Sequence, residues 1–395
     1  MGQAGFRSAP PELALLAACA LWPRGSARNE AIGDAAPDID WPAFLRVVRR
    51  HRMACLAQDG LKAAGVVLPK AEGEALAALA RQDCRRALLL VGEASRIVAW
   101  LAAAHIDAAI IKGPPLAVLA YGDLAMRHCG DVDILVAAVD MPAAVALLIG
   151  RDYRLEQALD VSTPERLDAW LRVKKDVALR NPATGALIEL HCRLTDNRHL
   201  IGEADVASAI RPVIVGGVSL PSLAGDALLS YLCVHGSFHA WARLKWLADI
   251  QALLSGEDCG RLDALYGQAR ASGLHVPIGV AFLLCAHLFG TELSPALRAT
   301  LQGSRRVTLL ARIALDILCD PRDGADRWRF AQMHASRLLL RTGPRYQMQE
   351  IVRRLVDWPT ADRLGGGRLS VGLSTIARPF TWARRRLWAK RGDPG

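Results

Sequence analysis

The sequence predicts an α+β protein: a small mixed β-sheet core over residues 101–222, flanked by an N-terminal helical region, 1–100, and a C-terminal helical region, 223–395, with a basic tail. Three observations predict it. Apolar residues recur at helical spacing through the first hundred positions. From Ala108, short apolar runs of strand length appear, punctuated by Gly, Pro and Asn, and helical spacing returns after Asp226.

The N-terminal helices are read at Leu13 to Ala20, Phe44 to Ala57 and Glu74 to Ala103, with breaks at Gly60, Gly65 and Pro69. The stretch Leu13 to Trp22 follows Arg7 and is as apolar as a signal peptide. Pro10, Pro11 and Glu12 open it as a helix start, however, and no small-residue cleavage site follows, so a cytoplasmic protein is expected. Ala108 to Ile111 is a strand, Lys112-Gly113-Pro114-Pro115 a turn, and a helix runs on through Tyr121. A second strand, Asp131 to Val136, precedes a helix from Met141 to Ile149. Asp176 to Arg180 and Leu187 to Leu194 flank Asn181-Pro182-Ala183-Thr184-Gly185, a tight connection between antiparallel strands. Asp226 is read as the cap of a helical stretch to Leu254, and helices continue to about Val356. Gly365 to Gly372 reads as a loop and Arg378 to Arg391 as a basic aromatic helix.

At 395 residues, 52% hydrophobic and 22% charged, the chain is too apolar to be disordered and long enough for several cores. It contains no uncharged apolar run of about 20 residues, the length of a membrane span. The nearest, Val276 to Gly290, includes His287 and reads as a buried helix, so no transmembrane segment is expected. Nine cysteines without a CxxC pair exclude a zinc-finger pattern and read as reduced thiols. The net charge of +10 favours polyanions such as nucleotides. Arg384, Arg385, Arg386, Lys390 and Arg391 are read as a solvated tail, with nucleic acid a minor reading; oligomeric state is not legible.

Side chains two apart on a strand share a face, so Asp131 and Asp133 point the same way. Adjacent carboxylates repel unless a cation lies between them, and a hard divalent ion with oxygen ligands suits the pair. Glu189 is a lone acid in the apolar strand Leu187-Ile188-Glu189-Leu190-His191 and is costly to bury without a partner. If the two strands lie side by side, three carboxylates converge on a site able to hold two magnesium ions for phosphoryl or nucleotidyl transfer. Lys112 and Gly113, between a strand end and a helix start, suit a phosphate, Lys112 by charge and Gly113 by allowing close approach. Arg127 is a candidate phosphate clamp, and His191 shares the Glu189 face as a positioning partner or nucleotide contact. His235 and His239, four apart, are read as a polar face of the cleft with Lys245 and Asp249 rather than a zinc site. Trp241 and Trp246 are candidates for stacking on a base, with a core role the commoner one for helical aromatics.

Taken together, Ile110-Ile111-Lys112-Gly113, Tyr121-Gly122-Asp123, Arg127, Asp131-Val132-Asp133-Ile134-Leu135-Val136 and Ile188-Glu189-Leu190-His191 resemble the uncharacterised nucleotidyltransferase family of the polymerase-beta-like superfamily. Trp41 to His51 and His235 to Asp249 resemble the helical regions flanking that family's core. The resemblance implies a nucleotidyltransferase fold in which Asp131 and Asp133 bind both metal ions and Glu189 the catalytic one. The chain departs from the wider superfamily in having Lys112-Gly113 where many members have Gly-Ser. It also has seventeen residues between Gly113 and Asp131, longer than usual.

The expected activity is magnesium-dependent transfer of a nucleoside monophosphate from a nucleoside triphosphate such as ATP to an acceptor hydroxyl, with release of pyrophosphate. The resemblance suggests polysaccharide or peptide natural-product biosynthesis as its setting. Two other classes compete: an Asp-x-Asp glycosyltransferase using a nucleotide sugar, which calls for an N-terminal sheet of alternating strands and helices, and an inactive nucleotide-binding regulatory protein. Asp133→Asn is expected to abolish transfer and leave the fold intact.

Overall fold

The computed structural model describes residues 6–156, 163–202, 206–320 and 327–355. The segments read from sequence as a glycine-rich loop and a basic helix, together with the basic tail, lie outside the described residues.

Five helices come first: α1 (Pro11–Cys19), α2 (Ser26–Ala35), α3 (Trp41–His51), α4 (Ala54–Ala63) and the long α5 (Lys70–Ala103). The single helix expected from Phe44 to Ala57 is two. Arg52 takes a left-handed conformation (φ 57°), ending α3, and the chain restarts after Met53. Asp40 caps α3 by accepting the Ala43 N–H at 3.0 Å.

The middle of the chain contributes β1 (Ala108–Ile110), α6 (Pro114–Tyr121), β2 (Val132–Val136), α7 (Met141–Ile149), β3 (Arg154–Leu155), α8 (Pro164–Leu171), β4 (Asp176–Arg180), β5 (Leu187–His191), β6 (Ile210–Val215) and β7 (Val218–Leu223). They form one seven-stranded sheet in the order β3-β4-β5-β2-β1-β7-β6. The β2–β5 and β1–β7 pairs are parallel and the rest antiparallel, so the sheet is mixed. The β6–β7 hairpin adds two strands to those expected from the sequence. Its turn is Gly216-Gly217, both at positive φ (57° and 83°), as a two-residue hairpin loop requires.

Alternation divides the sheet into two faces. Val132, Ile134, Val136, Val177, Leu179, Ile188 and Leu190 pack with Leu90, Ala94, Ile97 and Leu101 of α5 and with Met141, Ala144 and Leu148 of α7. The C-terminal half of α5, assigned from sequence to the N-terminal helical region, thus backs the sheet. The opposite face carries Asp133, Glu189 and His191 towards the C-terminal helices.

Those helices are α9 (Gly225–Phe238), α10 (Leu244–Leu253), α11 (Cys259–Ser272), α12 (His275–Phe289), α13 (Pro295–Gly303), α14 (Arg305–Leu318), α15 (Arg327–Ser336) and α16 (Pro344–Leu355). Buried side chains of α1–α4 and α9–α14 belong to one hydrophobic cluster. At its centre is α12, buried continuously from Val276 to Cys285. Fifteen residues rise only about 22 Å, and no helix among the described residues is long and apolar enough to cross a membrane.

Two details depart from expectation. Asp226 lies in the first turn of α9, whose cap is Ala224, and the stretch to Leu254 is not continuous, because the chain reverses between Phe238 and Leu244. Ala240 and Trp241 have positive φ (47° and 53°), and the Trp241 ring folds back onto Gly236. A Cβ at Gly236 would lie 2.2 Å from that ring, so only glycine fits. Gly236→Ala is expected to destabilise the protein by about 1–3 kcal/mol through overpacking, read as a lower urea midpoint with unchanged slope.

Candidate functional site

Strands β2 and β5 run parallel in a register that places Asp133 directly beside Glu189. The Ile111 N–H donates to the Asp133 carbonyl at 2.9 Å, which carries Lys112 alongside the Asp133 side chain. Asp133 is fully buried. Lys112 Nζ lies 2.9 Å from its Oδ2 and His191 Nε2 lies 3.1 Å from its Oδ1. His191 Nε2 also stands 3.4 Å from Glu189 Oε2 and 3.8 Å from Asp176 Oδ2. Asp133, Glu189 and His191 each place one ligand atom within 4.8 Å of the others, a group able to hold a metal ion.

Asp131 stands one residue before β2, on the wall of the same cleft, and its carboxylate is not part of that close group. Helix α5 holds its loop in place: Arg86 donates at 3.1 Å to the carbonyls of both Gly130 and Gly185, and Asp83 meets His128 Nδ1 at 2.7 Å. The loop before β2 and the β4–β5 turn are thereby tied to one helix.

Charges in the cluster reinforce each other. Burial pushes the Asp133 carboxyl up, but Lys112 and His191 outweigh it and hold the group well below the usual carboxylate range. Burial disfavours the Lys112 ammonium, yet Asp133 and Asp131 raise its pKa well above the ordinary value. For His191, burial and Lys175 act downward, and its hydrogen bonds to Asp133 and Glu189 prevail, raising it. Lys175, itself paired with Asp176, lies 3.4 Å from the His191 ring.

Above the carboxylates opens a cleft of about 570 Å³, within the range of a small-molecule site. One wall is α9 with the turn after it: Tyr231, His235, Phe238 and His239, with Trp246 from α10. His235 and His239 are 4.8 Å apart, and Trp246 is 5.4 Å from each ring. Burial, then Lys112, depresses His235, and burial, then Arg337, takes His239 to about 3, so both are neutral at pH 7. Trp241 is 1% exposed, a core residue, whereas Trp246 faces the cleft.

The turn residues take different parts. Lys112 lines the cleft; Gly113 is not among its lining residues. Gly113 has φ 84°, and a Cβ there would sit 3.5 Å from the Asp131 carbonyl oxygen, so glycine lets the turn pass under the Asp131 backbone. Arg127 directs its Nε at both oxygens of Asp249 (3.1 and 3.0 Å), and its NH1 group donates to the Gly113 carbonyl at 3.5 Å. Asp249 also accepts the Tyr121 hydroxyl at 3.1 Å. Arg127 is therefore a buried strut joining α6, the turn and α10.

The sequence reading missed Tyr231, Lys175, Asp176, Asp196, Arg337 and Arg353, all in the cleft wall. Two carried a signal: Tyr231 lies four residues before His235 on one helix face, and Asp176 is a polar residue on an alternating strand. Arg353 carried none; it reaches Asp196 from α16, far along the chain.

Two acidic residues in register on neighbouring parallel strands, set under a cationic cleft, make a site able to hold a metal ion beside a phosphate. The chain belongs to the uncharacterised nucleotidyltransferase family, whose model matches residues 37–290. No curated protein matches it. The matched stretch contains every sequence-derived site residue and leaves Arg337 and Arg353 beyond its end.

Proposed function

We propose that this protein transfers a nucleoside monophosphate from a nucleoside triphosphate to a hydroxyl-type acceptor and releases pyrophosphate. The observation that carries the reading is the register of Asp133 and Glu189, with His191 between their carboxylates at the floor of the cleft. This donor set fits a hard divalent cation: both Asp133 oxygens are buried at the cleft floor, Oδ2 facing Lys112 at 2.9 Å and Oδ1 facing His191 at 3.1 Å, and these cations hold the carboxylate ionised. Asp133 and Glu189, with Asp131 on the wall, would hold two magnesium ions, which when bound neutralise phosphate charge and lower the pKa of an attacking hydroxyl.

The chain's own groups supply the rest. Lys112 keeps Asp133 ionised, and His191 orients both carboxylates through one ring nitrogen. The neutral face of Trp246, His235 and His239 offers a stacking surface for the base. In the transfer, the acceptor oxygen bonds to the α-phosphorus as the bond from that phosphorus to the bridging oxygen breaks. The electron pair leaves with pyrophosphate and the hydroxyl proton passes to solvent.

The glycosyltransferase alternative calls for an N-terminal sheet of alternating strands and helices, and α1–α5 occupy that part of the chain. The deciding experiment incubates the protein with magnesium, each of the four triphosphates, and pools of sugars, metabolites and peptides, and measures pyrophosphate and product mass. A nucleotidyl mass shift with one pyrophosphate per product is expected. Turnover of nucleotide sugars instead, or nucleotide binding without any transfer, would replace this reading with one of its rivals.

A further inference from the structure

Helix α10 begins against the ordinary electrostatic rule. A helix amino end is positive and is usually capped by Ser, Thr, Asp or Asn. Here the cap is Arg243, with no side-chain cap bond, and the second helical residue is Lys245. The Leu244 N–H is satisfied at 3.0 Å by Nδ1 of His51, a ring held neutral, at about 3, by burial together with Arg50 and Arg243. Among the described residues no acidic side chain caps this helix end.

Other cations crowd the same place. Arg127 and Arg52 face Lys245, and the groups of opposite tendency are Asp249 and Cys129. Asp249 is already engaged by Arg127 and Tyr121, and Cys129 is a buried thiol whose pKa burial raises. Among the described residues neither Lys245 nor Arg52 forms an ion pair, whereas Lys112 is paired with Asp133 and Lys175 with Asp176. Burial, then Arg127, brings the Lys245 amine down to about 7. The half-buried Lys245 and the exposed Arg52 thus leave like charges beside the cleft outside any ion pair, and a multiply charged anion would relieve their repulsion.

The location fits one. Lys245, Arg243 and Trp246 of this helix end line the cleft with Arg52, Gly130 and Asp131. Arg52 NH1 is 3.7 Å from where a Gly130 side chain would begin, next to Asp131. The competing helix end, that of α6, opens with Pro114 and Pro115, which have no N–H to give. We infer that Lys245, Arg52 and the amino end of α10 form the polyphosphate subsite of the cleft, in place of the Lys112-Gly113 turn. That the anion is the tail of a nucleoside triphosphate rests on the proposed transfer reaction; the charge of the subsite does not.

Inorganic tripolyphosphate titrated calorimetrically into the full-length protein at pH 7, with EDTA present, tests the subsite without the metal. Wild type is expected to bind. Lys245→Met and Arg52→Gln each weaken binding about tenfold or more, as loss of a charged hydrogen bond does, while Lys245→Arg retains most of the affinity. Lys245→Met also melts no lower than wild type, because it removes charge repulsion at a helix amino end. Repeating the wild-type titration in buffers of different ionisation enthalpy should show proton uptake on binding, and Lys245→Met should lose that component. Wild-type affinity in both neutral variants overturns the inference and leaves transfer standing if pyrophosphate is still released. Failure of wild type to bind tripolyphosphate or any nucleoside triphosphate overturns both. Weakened binding in the variants, with no pyrophosphate released by wild type under any acceptor, supports the subsite and removes the transfer reading alone.

Discussion

Asp133→Asn is expected to abolish nucleotidyl transfer and also to cost about 3–5 kcal/mol of stability, the usual penalty for leaving a buried charge without its partner. The sequence alone suggested that the fold would be indifferent to this change. The structure says otherwise: the Asp133 side chain is 1% exposed, and Lys112, 13% exposed, directs its ammonium at it from 2.9 Å. Neutralising the carboxylate leaves Lys112 and His191 facing an amide at the buried floor of the cleft. Activity and stability are separable in the pair variant Asp133→Asn with Lys112→Met, which removes both charges. That double variant should regain most of the lost stability and none of the transfer. Urea unfolding and pyrophosphate release are the two measurements. Wild-type stability in the single variant would mean that the Lys112 pair does not form, and substantial transfer in either would remove Asp133 from the reaction.

Glu189→Gln is expected to lower transfer by about a thousandfold, the loss of several kcal/mol of charge stabilisation at the reacting phosphate, with little change in stability. Its side chain is 26% exposed, and among the described residues the partner facing it is His191 at 3.4 Å. Removing its charge therefore strands no buried lysine. The contrast between two neighbours in one register is the informative result: one position supports fold and chemistry together, the other chemistry alone. Equal destabilisation by the two substitutions would contradict it. So would retained activity in Glu189→Gln, which would shift the essential acidic pair to Asp131 and Asp133.

Much of the site could be read locally. Alternation puts Asp131 and Asp133 on one face of their strand and Glu189 with His191 on one face of theirs, and the Asn181 to Gly185 composition announces the β4–β5 turn. The β6–β7 hairpin is equally legible, since Val213, Val215, Val218 and Leu220 alternate about Gly216-Gly217. The breaks at Arg52 and after Phe238 were harder. Neither has glycine or proline at the reversal itself, and both rely on non-glycine residues, Arg52 in one and Ala240 with Trp241 in the other, held at positive φ by the surrounding packing.

Period and turn chemistry depend on neighbours within a few residues, so the chain's order alone specified strands, most helices and the acidic candidates. Which strands lie side by side is a long-range matter, and the parallel match of β2 with β5 converts two separate acidic motifs into one cluster. The same holds for the cations. Lys112 and Arg127 look free to bind phosphate until folding brings Asp133 and Asp249 against them, and Lys245, read as part of a polar cleft face, is set by folding half-buried beside Arg52 and Arg127. A side chain's charge is written in the sequence, but its partner is chosen by the backbone path, because electrostatic pairing acts across a few ångströms of space regardless of distance along the chain.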